Sequence, residues 1–157
     1  MANVTVSDRA SNVVNYSYDD LAPATFDRDL TVDSVPDTTA PTVSALRIDP
    51  HQVDARNRGR VVTFTAEAQD TGGAGLGSIT VVVGDDGSNT VGVILTRVPG
   101  EPGRMRGTLP VVTWSGTHRW KVSSVIAVDK VGNTTTYDSG LAALGFDRTF
   151  RARSRDD

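Results

Sequence analysis

Apolar and polar residues alternate along most of this chain, and this alternation constrains the fold more than any other feature of the sequence. In a β-strand successive side chains point to opposite faces, so alternation is typical of a strand with one buried face. The run 60–69, for example, places Val62, Phe64, Ala66 and Ala68 on one face. No segment shows the 3.6-residue period of an amphipathic helix, and one helical turn over 139–144 is the most that we expect. The chain is therefore predicted to be all-β.

Strand-forming runs recur at short intervals and are separated by Gly, Pro, Asp and Asn, which favour turns. The predicted strands cover residues 42–48, 60–69, 77–83, 91–97, 104–112, 120–128 and 134–137, with a last strand over 146–153. In the strand 120–128 the alternation predicts that Trp120, Val122, Ile126 and Val128 face the core. Seven short strands with turn signals between them predict an antiparallel immunoglobulin-like β-sandwich.

The end of the sequence repeats its beginning at a period of about 120 residues. Val125–Tyr137 echoes Val4–Tyr16, and residues 141–148 then echo residues 21–28 with one residue dropped between the two stretches. A repeat of this length corresponds to a domain. We therefore predict that residues 1–36 are the closing strands of a preceding repeat, a strand-rich N-terminal extension, and that residues 37–157 are one whole sandwich. The two prolines of Pro36–Pro41 mark the boundary as a stiff linker.

The two copies differ in the phase of their apolar residues. In the later copy Ile126 and Val128 are predicted to face the core. They align with Thr5 and Ser7 of the first copy. Because a one-residue shift turns every side chain of a strand to the other face, the first copy is predicted to pair in a different register or not to fold as its counterpart does. Ser11 stands where the later copy has Gly132, a position expected to need a positive φ.

Composition excludes several classes of protein. A formal net charge of −3 favours neither nucleic acid nor an anionic membrane as partner, and the absence of cysteine excludes disulfides, zinc–thiolate sites and a cysteine nucleophile. No apolar run approaches the roughly 20 residues of a membrane span. No signal peptide is visible at the N-terminus, so we expect either a piece of a longer exported protein or a protein that works without export.

Four motifs, in this order and spacing, give the chain a family resemblance. They are Asp37-Thr-Thr-Ala-Pro41, Leu46-Arg-Ile-Asp-Pro50, Asp70-Thr-Gly-Gly-Ala-Gly-Leu76 and Asp129-Lys-Val-Gly-Asn133. Together they resemble bacterial immunoglobulin-like tandem repeats, which occur in large secreted and cell-surface proteins as stalks and spacers or beside adhesive and catalytic modules. The resemblance covers the chain from Asp37 onward. It implies a β-sandwich with a non-enzymatic role.

One end of the predicted sandwich collects side chains that could bind a metal ion. Because antiparallel strands alternate in direction, alternate loops share an end, and that end holds Asp37, Asp70, Glu101, Asp129 and Asn133. Such oxygen ligands could hold Ca²⁺, which takes six to eight oxygens in irregular geometry. The alternative is structural, since Asp and Asn in turns bond to their own backbone.

Other candidate sites are weaker, and no catalytic residue is predicted. Trp114 lies in a loop and could stack on a sugar as a carbohydrate site, but a single aromatic residue makes a thin site, and covering the core is the interpretation that we prefer. His51 and His118, the two histidines, lie in loops, and Ser115 is not in a nucleophile elbow. The glycine-rich run 72–77 lacks the spacing of a phosphate-binding loop and is interpreted as a flexible connection.

We therefore expect a non-catalytic structural module of a bacterial secreted or cell-surface protein, a spacer or adhesive stalk repeat. Its expected partners are neighbouring repeats or identical subunits, reached by adding or exchanging the N-terminal strands at a sheet edge, and surface glycans or proteins; nucleic acid and membrane insertion are not expected. A virion or filament subunit joined by its N-terminal strands is one alternative. A carbohydrate-binding module is another.

Overall fold

The computed structural model describes residues 4–17, 19–20, 35–113 and 116–155. Internal contacts divide the chain into two units, residues 1–36 and 37–157, and each is considered separately. The described residues contain strands and turns and no helix, which confirms the predicted all-β class. Their eleven strands are β1 (Val4–Ser7), β2 (Val13–Tyr16), β3 (Thr42–Asp49), β4 (Gln52–Asp54), β5 (Arg60–Gln69), β6 (Leu76–Asp85), β7 (Thr90–Arg97), β8 (Arg104–Val111), β9 (His118–Asp129), β10 (Thr134–Tyr137) and β11 (Thr149–Arg153).

The second unit is a β-sandwich of two sheets that share β7. One sheet has the order β3-β5-β8, and the other runs β6-β9 with β10 and β11 both along the far edge of β9. Strand β7 pairs along most of its length with β6 and by Thr96 and Arg97 alone with β8, so it closes one side of the sandwich. All of these ladders are antiparallel, while the short β4 runs parallel to β11. Strand β4 was not predicted from the sequence.

The alternating apolar residues of β5 and β6 belong to the core, as predicted. One face of β5 is buried through Val62, Phe64, Ala66 and Ala68, and it meets the buried face of β6. Phe150 joins the two sheets, because its ring makes an edge contact with Phe64 at 5.9 Å and lies parallel to Trp120 at 5.9 Å. Trp120 is half-buried and packs against this core. Hydrophobic burial on these facing surfaces is the main favourable contribution to folding.

The predicted facing of β9 is wrong beyond Val122. Val122 is buried, but the next buried residues are Val125 and Ala127, and Ile126 and Val128 are only half-buried. A β-bulge explains the change, because Val82 pairs with Ser124 whereas Val83 pairs with Val122, which leaves Ser123 as an extra residue. An extra residue shifts the alternation by one, so each later side chain of β9 turns to the other face.

The N-terminal unit contains a hairpin of β1 and β2 whose register matches that of β9 and β10. Val4 pairs with Tyr16 as Val125 pairs with Tyr137, so the predicted change of register is wrong. The error follows from the bulge, since Val4 and Val6 align with residues that do face the core. The turn is also kept, because Ser11 takes the left-handed φ of 68° where Gly132 has 98°.

The chain enters and leaves the second unit at opposite ends of the sandwich. Strand β3 begins beside the end of β5, where Thr42 pairs with Gln69, and we name this end the leading pole. Strand β11 finishes beside the start of β9, where Ala152 pairs with His118. The twelve residues of β9 span about 35 Å between these ends at roughly 3.3 Å per residue.

Candidate functional site

Three acidic side chains meet at the leading pole, and the turn between β9 and β10 supplies the first of them. Asp129 is 4 % exposed, and its Oδ1 accepts hydrogen bonds from the backbone N–H groups of Val131, Gly132 and Asn133 at 2.6–2.9 Å. Its Oδ2 accepts one from the Asn133 side-chain amide at 2.7 Å. Asp129 therefore satisfies the donors of a tight turn whose left-handed position is filled by a glycine.

The loop between β5 and β6 supplies the second acidic side chain, Asp70. Asp70 Oδ1 accepts a hydrogen bond from the N–H of Gly72 at 3.1 Å, and its Oδ2 accepts one from Gly75 at 2.6 Å. Gly73 and Gly75 both have positive φ, at 105° and 79°, which explains why this loop is rich in glycine. The predicted flexible connection is thus a loop wound around one carboxylate.

The third acidic side chain is that of Asp37, the first residue of the second unit. Its Oδ1 accepts a hydrogen bond from Thr39 N–H at 2.9 Å, and its Oδ2 accepts one from Ala74 N–H at 2.8 Å. The Asn133 amide donates to the Asp37 backbone carbonyl at 3.0 Å. Residues 37–41, which we name the leading segment, are therefore tied to two loops of the sandwich. Gly72 leaves room for this carboxylate, since a Cβ there would lie 1.7 Å from Asp37 Oδ1 and the carboxylate would have to shift.

One carboxylate oxygen from each of Asp37, Asp70 and Asp129 lies within 4.8 Å of the others, close enough to ligate a single hard cation. Each of the six oxygens also accepts a hydrogen bond from the loops or the leading segment, so loop structure by itself accounts for the arrangement. Burial acts to raise the pKa of Asp129, but the hydrogen bonds from Asn133, Val131 and Gly132 outweigh it and leave that pKa below its ordinary value. Asp129 is therefore ionised at neutral pH, and the cluster organises the pole.

The structure gives different places to the other predicted site residues. Asn133 belongs to the cluster through its bonds to Asp129 and Asp37. Glu101 lies in the loop between β7 and β8, is absent from the carboxylate cluster and instead forms an ion pair with Arg104. Trp114, the predicted carbohydrate site, and Ser115 fall outside the described residues.

The sequence prediction missed that one turn is used three times in the described part of the chain. Asp8–Asn12, Asp85–Asn89 and Asp129–Asn133 share the same bonds: the Asp Oδ1 accepts the Asn backbone N–H, and the Asn side-chain amide donates to the Asp Oδ2. In each turn the residue before the Asn has positive φ. Aspartate followed four residues later by asparagine is the sequence signal, and it is visible between alternating runs.

The two histidines lie beside carboxylates at the other end of β9. His118 Nδ1 is 3.1 Å from Asp86 Oδ1 and 3.5 Å from the buried Asp85 carboxylate. His51 Nδ1 approaches the Thr149 carbonyl at 3.1 Å, and its Nε2 is 3.6 Å from Asp147. Asp147 in turn accepts a hydrogen bond from the backbone N–H of Ile48. These contacts tie loops to strands.

Comparison with known proteins adds no family assignment. No protein-family model matches the chain, and no curated protein matches it. Within the part of the chain that the structure describes, no helix is long and apolar enough to cross a membrane.

Proposed function

We propose that this chain is a non-catalytic structural module, an immunoglobulin-like repeat that acts as a spacer or adhesive stalk segment of a bacterial extracellular or cell-surface protein. The observation that carries the proposal is the path of the chain through the second unit. It enters at the leading pole and leaves at the opposite end of the sandwich. Units with this path can be joined in line, each adding its length to a rod.

The same path determines how the unit would respond to tension. Strand β3 is bonded to β5 in one sheet, and β11 is bonded to β9 in the other. A force applied at the two ends pulls these terminal strands along their length, so that the bonds of each ladder are loaded together. A module loaded in this way suits a stalk, which must carry force without unfolding.

The leading segment also supports a spacer role. Asp37 is held by its carboxylate to the loop of Ala74 and by its carbonyl to Asn133. A connection that is bonded to its own sandwich transmits orientation, whereas a free linker would not. We therefore assign the carboxylate cluster to holding the leading segment on its own sandwich.

Single-molecule force spectroscopy tests the proposal. The chain has no cysteine, so handles can be attached to a Thr38→Cys, Arg155→Cys variant, one at each end of the sandwich. We expect a single cooperative unfolding step with a gain in contour length of about 40 nm, at roughly 3.5 Å per residue. Extension without a resolved force peak would contradict a load-bearing role.

The matched control changes only the direction of pulling. Arg58 lies in the loop before β5, at the same end of the sandwich as Arg155. In an Arg58→Cys, Arg155→Cys variant the strands should separate one hydrogen-bonded pair at a time. We expect a lower unfolding force for this pair than for the pair that spans both ends. Equal forces would remove the argument from chain path.

A further inference from the structure

We propose that the β1–β2 hairpin closes the core of a preceding sandwich built like residues 37–124. This inference deepens the proposed function and rests on its in-line arrangement, because it names the partner surface at the joint. The hairpin presents an apolar face made of Val4, Val6, Val14 and Tyr16, since these residues pair directly across the two strands. They are 46 %, 55 %, 50 % and 39 % exposed.

The second unit shows what covers such a face. The counterparts of Val4 and Val6 are Val125 and Ala127, which are completely buried in the sandwich core. Tyr137, the counterpart of Tyr16, packs against that core, and its hydroxyl accepts a hydrogen bond from the N–H of Val43. The hairpin therefore carries a core-facing surface with the same register and the same turn, and no sheet among the described residues buries it.

The edge of the hairpin points to the same partner. In the second unit the C-terminal half of β9 pairs with β6 on one side, where Val125 lies opposite Val81, and with β10 on the other. In the described residues β1 pairs with β2 alone. A strand equivalent to β6 would restore the missing ladder, since an exposed edge presents unpaired backbone groups.

The turn of the hairpin supplies a further match at the pole. Asn133 donates from its amide both to Asp129 and to the carbonyl of Asp37 in the leading segment. Asn12 makes the equivalent bond to Asp8 at 2.8 Å, and the Asp8–Asn12 turn is exposed. An amide has two N–H donors, so Asn12 can bond to the leading segment of another sandwich.

The partner is a sandwich that lacks its own closing hairpin, and a second copy of this chain fits less well. Within this chain the edge of β6 is already paired with β9 along almost its whole length, from Leu76 to Asp85. A second copy could accept the hairpin only by releasing β9 and exposing Val125 and Ala127. That exchange removes as much buried apolar surface as it creates.

A tandem chain tests the inference. Residues 37–124 are placed directly before Val4 of the full chain, so that Ser124 is joined to Val4 as it is to Val125. Hydrogen exchange read by mass spectrometry then follows the amides of residues 4–16. We expect their exchange in the tandem chain to be at least about 100-fold slower than in the original chain, because opening the hairpin now requires opening a core. Unchanged exchange would overturn the inference.

Two variants of the tandem chain form the matched control. Val6→Asp places a charge at a position equivalent to buried Ala127, and it should remove the protection. Asn15→Asp places the same charge on the other face of the hairpin, at a position equivalent to exposed Thr136, and it should keep the protection. Equal effects of the two variants would contradict docking by the apolar face.

A second tandem keeps the test decisive if the first folds poorly. When residues 37–157 precede the full chain, the added sandwich has its own hairpin, and residues 4–16 should exchange as fast as in the original chain. If this second tandem folds while the added residues 37–124 of the first stay unprotected, the hairpin cannot close a core and the inference is wrong.

Light scattering tests the remaining alternative, in which copies of this chain associate through their N-terminal strands. Self-association of the original chain that Val6→Asp abolishes would overturn the inference in favour of a subunit joined by its N-terminal strands. Failure in these experiments leaves the proposed function intact if the second unit still resists force between its two ends. Loss of that resistance would instead remove the proposed function.

Discussion

The β1–β2 and β9–β10 hairpins have the same turn and the same register, and they differ in what lies against one face. In both turns an aspartate bonds the asparagine four residues later, and a residue with positive φ precedes that asparagine. Val125 and Ala127 are buried, whereas Val4 and Val6 are exposed. The difference teaches that local bonds determine the hairpin, while the opposing sheet determines whether it contributes to a core.

The largest effect is expected from substitutions of Val125 and Val4, which occupy the same position in the two hairpins. Val125→Asp places an unpaired charge in the core and should destabilise the second unit by at least about 3 kcal/mol. Val4→Asp should change the unfolding free energy of the second unit by no more than about 0.5 kcal/mol, since Val4 is exposed. Urea unfolding followed by tryptophan fluorescence measures both. A comparable loss in the two variants would contradict the difference in burial.

Acid unfolding should separate the two aspartates. Hydrogen bonds from Asn133 and the turn outweigh burial and lower the pKa of Asp129, so its stabilisation is complete above the ordinary value of 3.8 and is lost as pH falls through the folded-state pKa. Asp129→Asn should therefore weaken the decline in stability as pH falls below the ordinary value of 3.8. Thermal midpoints measured across this range give the slope.

Asp8→Asn is the matched control for this measurement. The hydrogen bond from the Asn12 side chain likewise lowers the pKa of Asp8, but Asp8 belongs to the exposed hairpin. Its substitution should leave the acid unfolding of the second unit unchanged. If both variants flatten the pH dependence equally, the two turns do not differ in the way that burial indicates.

A smaller effect is expected at the leading segment, which the β1–β2 hairpin lacks. Gly72→Ala places a Cβ where the Asp37 carboxylate lies and should release residues 37–41, with a loss of about 1 kcal/mol and faster amide exchange at Thr39 and Ala74. Gly59→Ala is the control, because its nearest atom would lie at an ordinary 3.5 Å. Unchanged exchange at both amides would show that Asp37 does not hold the segment.

Calcium is expected to have the smallest effect. Since the loops and the leading segment already bond every carboxylate oxygen of the cluster, millimolar Ca²⁺ should not change the thermal midpoint relative to chelator. A midpoint that rises with calcium, and no longer rises in Asp70→Asn, would instead assign a cation to the cluster, because a ligand that binds the folded state stabilises it.

The sequence predicted much of the fold because alternation reports directly on burial in a sandwich. Strands β5 and β10 were predicted at their observed limits, and the apolar face of β5 is the core face. The facing of β9 could not be predicted, because nothing in its pattern reveals that Ser123 is an extra residue opposite β6. The same hidden bulge made the two hairpins look different in phase.

Part of the candidate site was predictable, because strand direction determines which loops lie at the same end of the sandwich. Strand direction was enough to group Asp37, Asp70 and Asp129, which the structure places within 4.8 Å. Loop direction did not predict that Glu101 would pair with Arg104 three residues later, because that choice depends on the local path of an exposed turn. Nor did it reveal that Asn133 reaches the Asp37 carbonyl.

The most direct test of the central comparison is amide exchange of both hairpins, measured by NMR in one sample of the full chain. We expect strong cross-strand contacts between Val6 and Val14 and between Ala127 and Thr135, since both registers are formed. The amides of 125–128 should exchange only on global unfolding, and those of 4–7 much faster. Equal protection of the two hairpins, or no cross-strand contact in the first, would contradict the account.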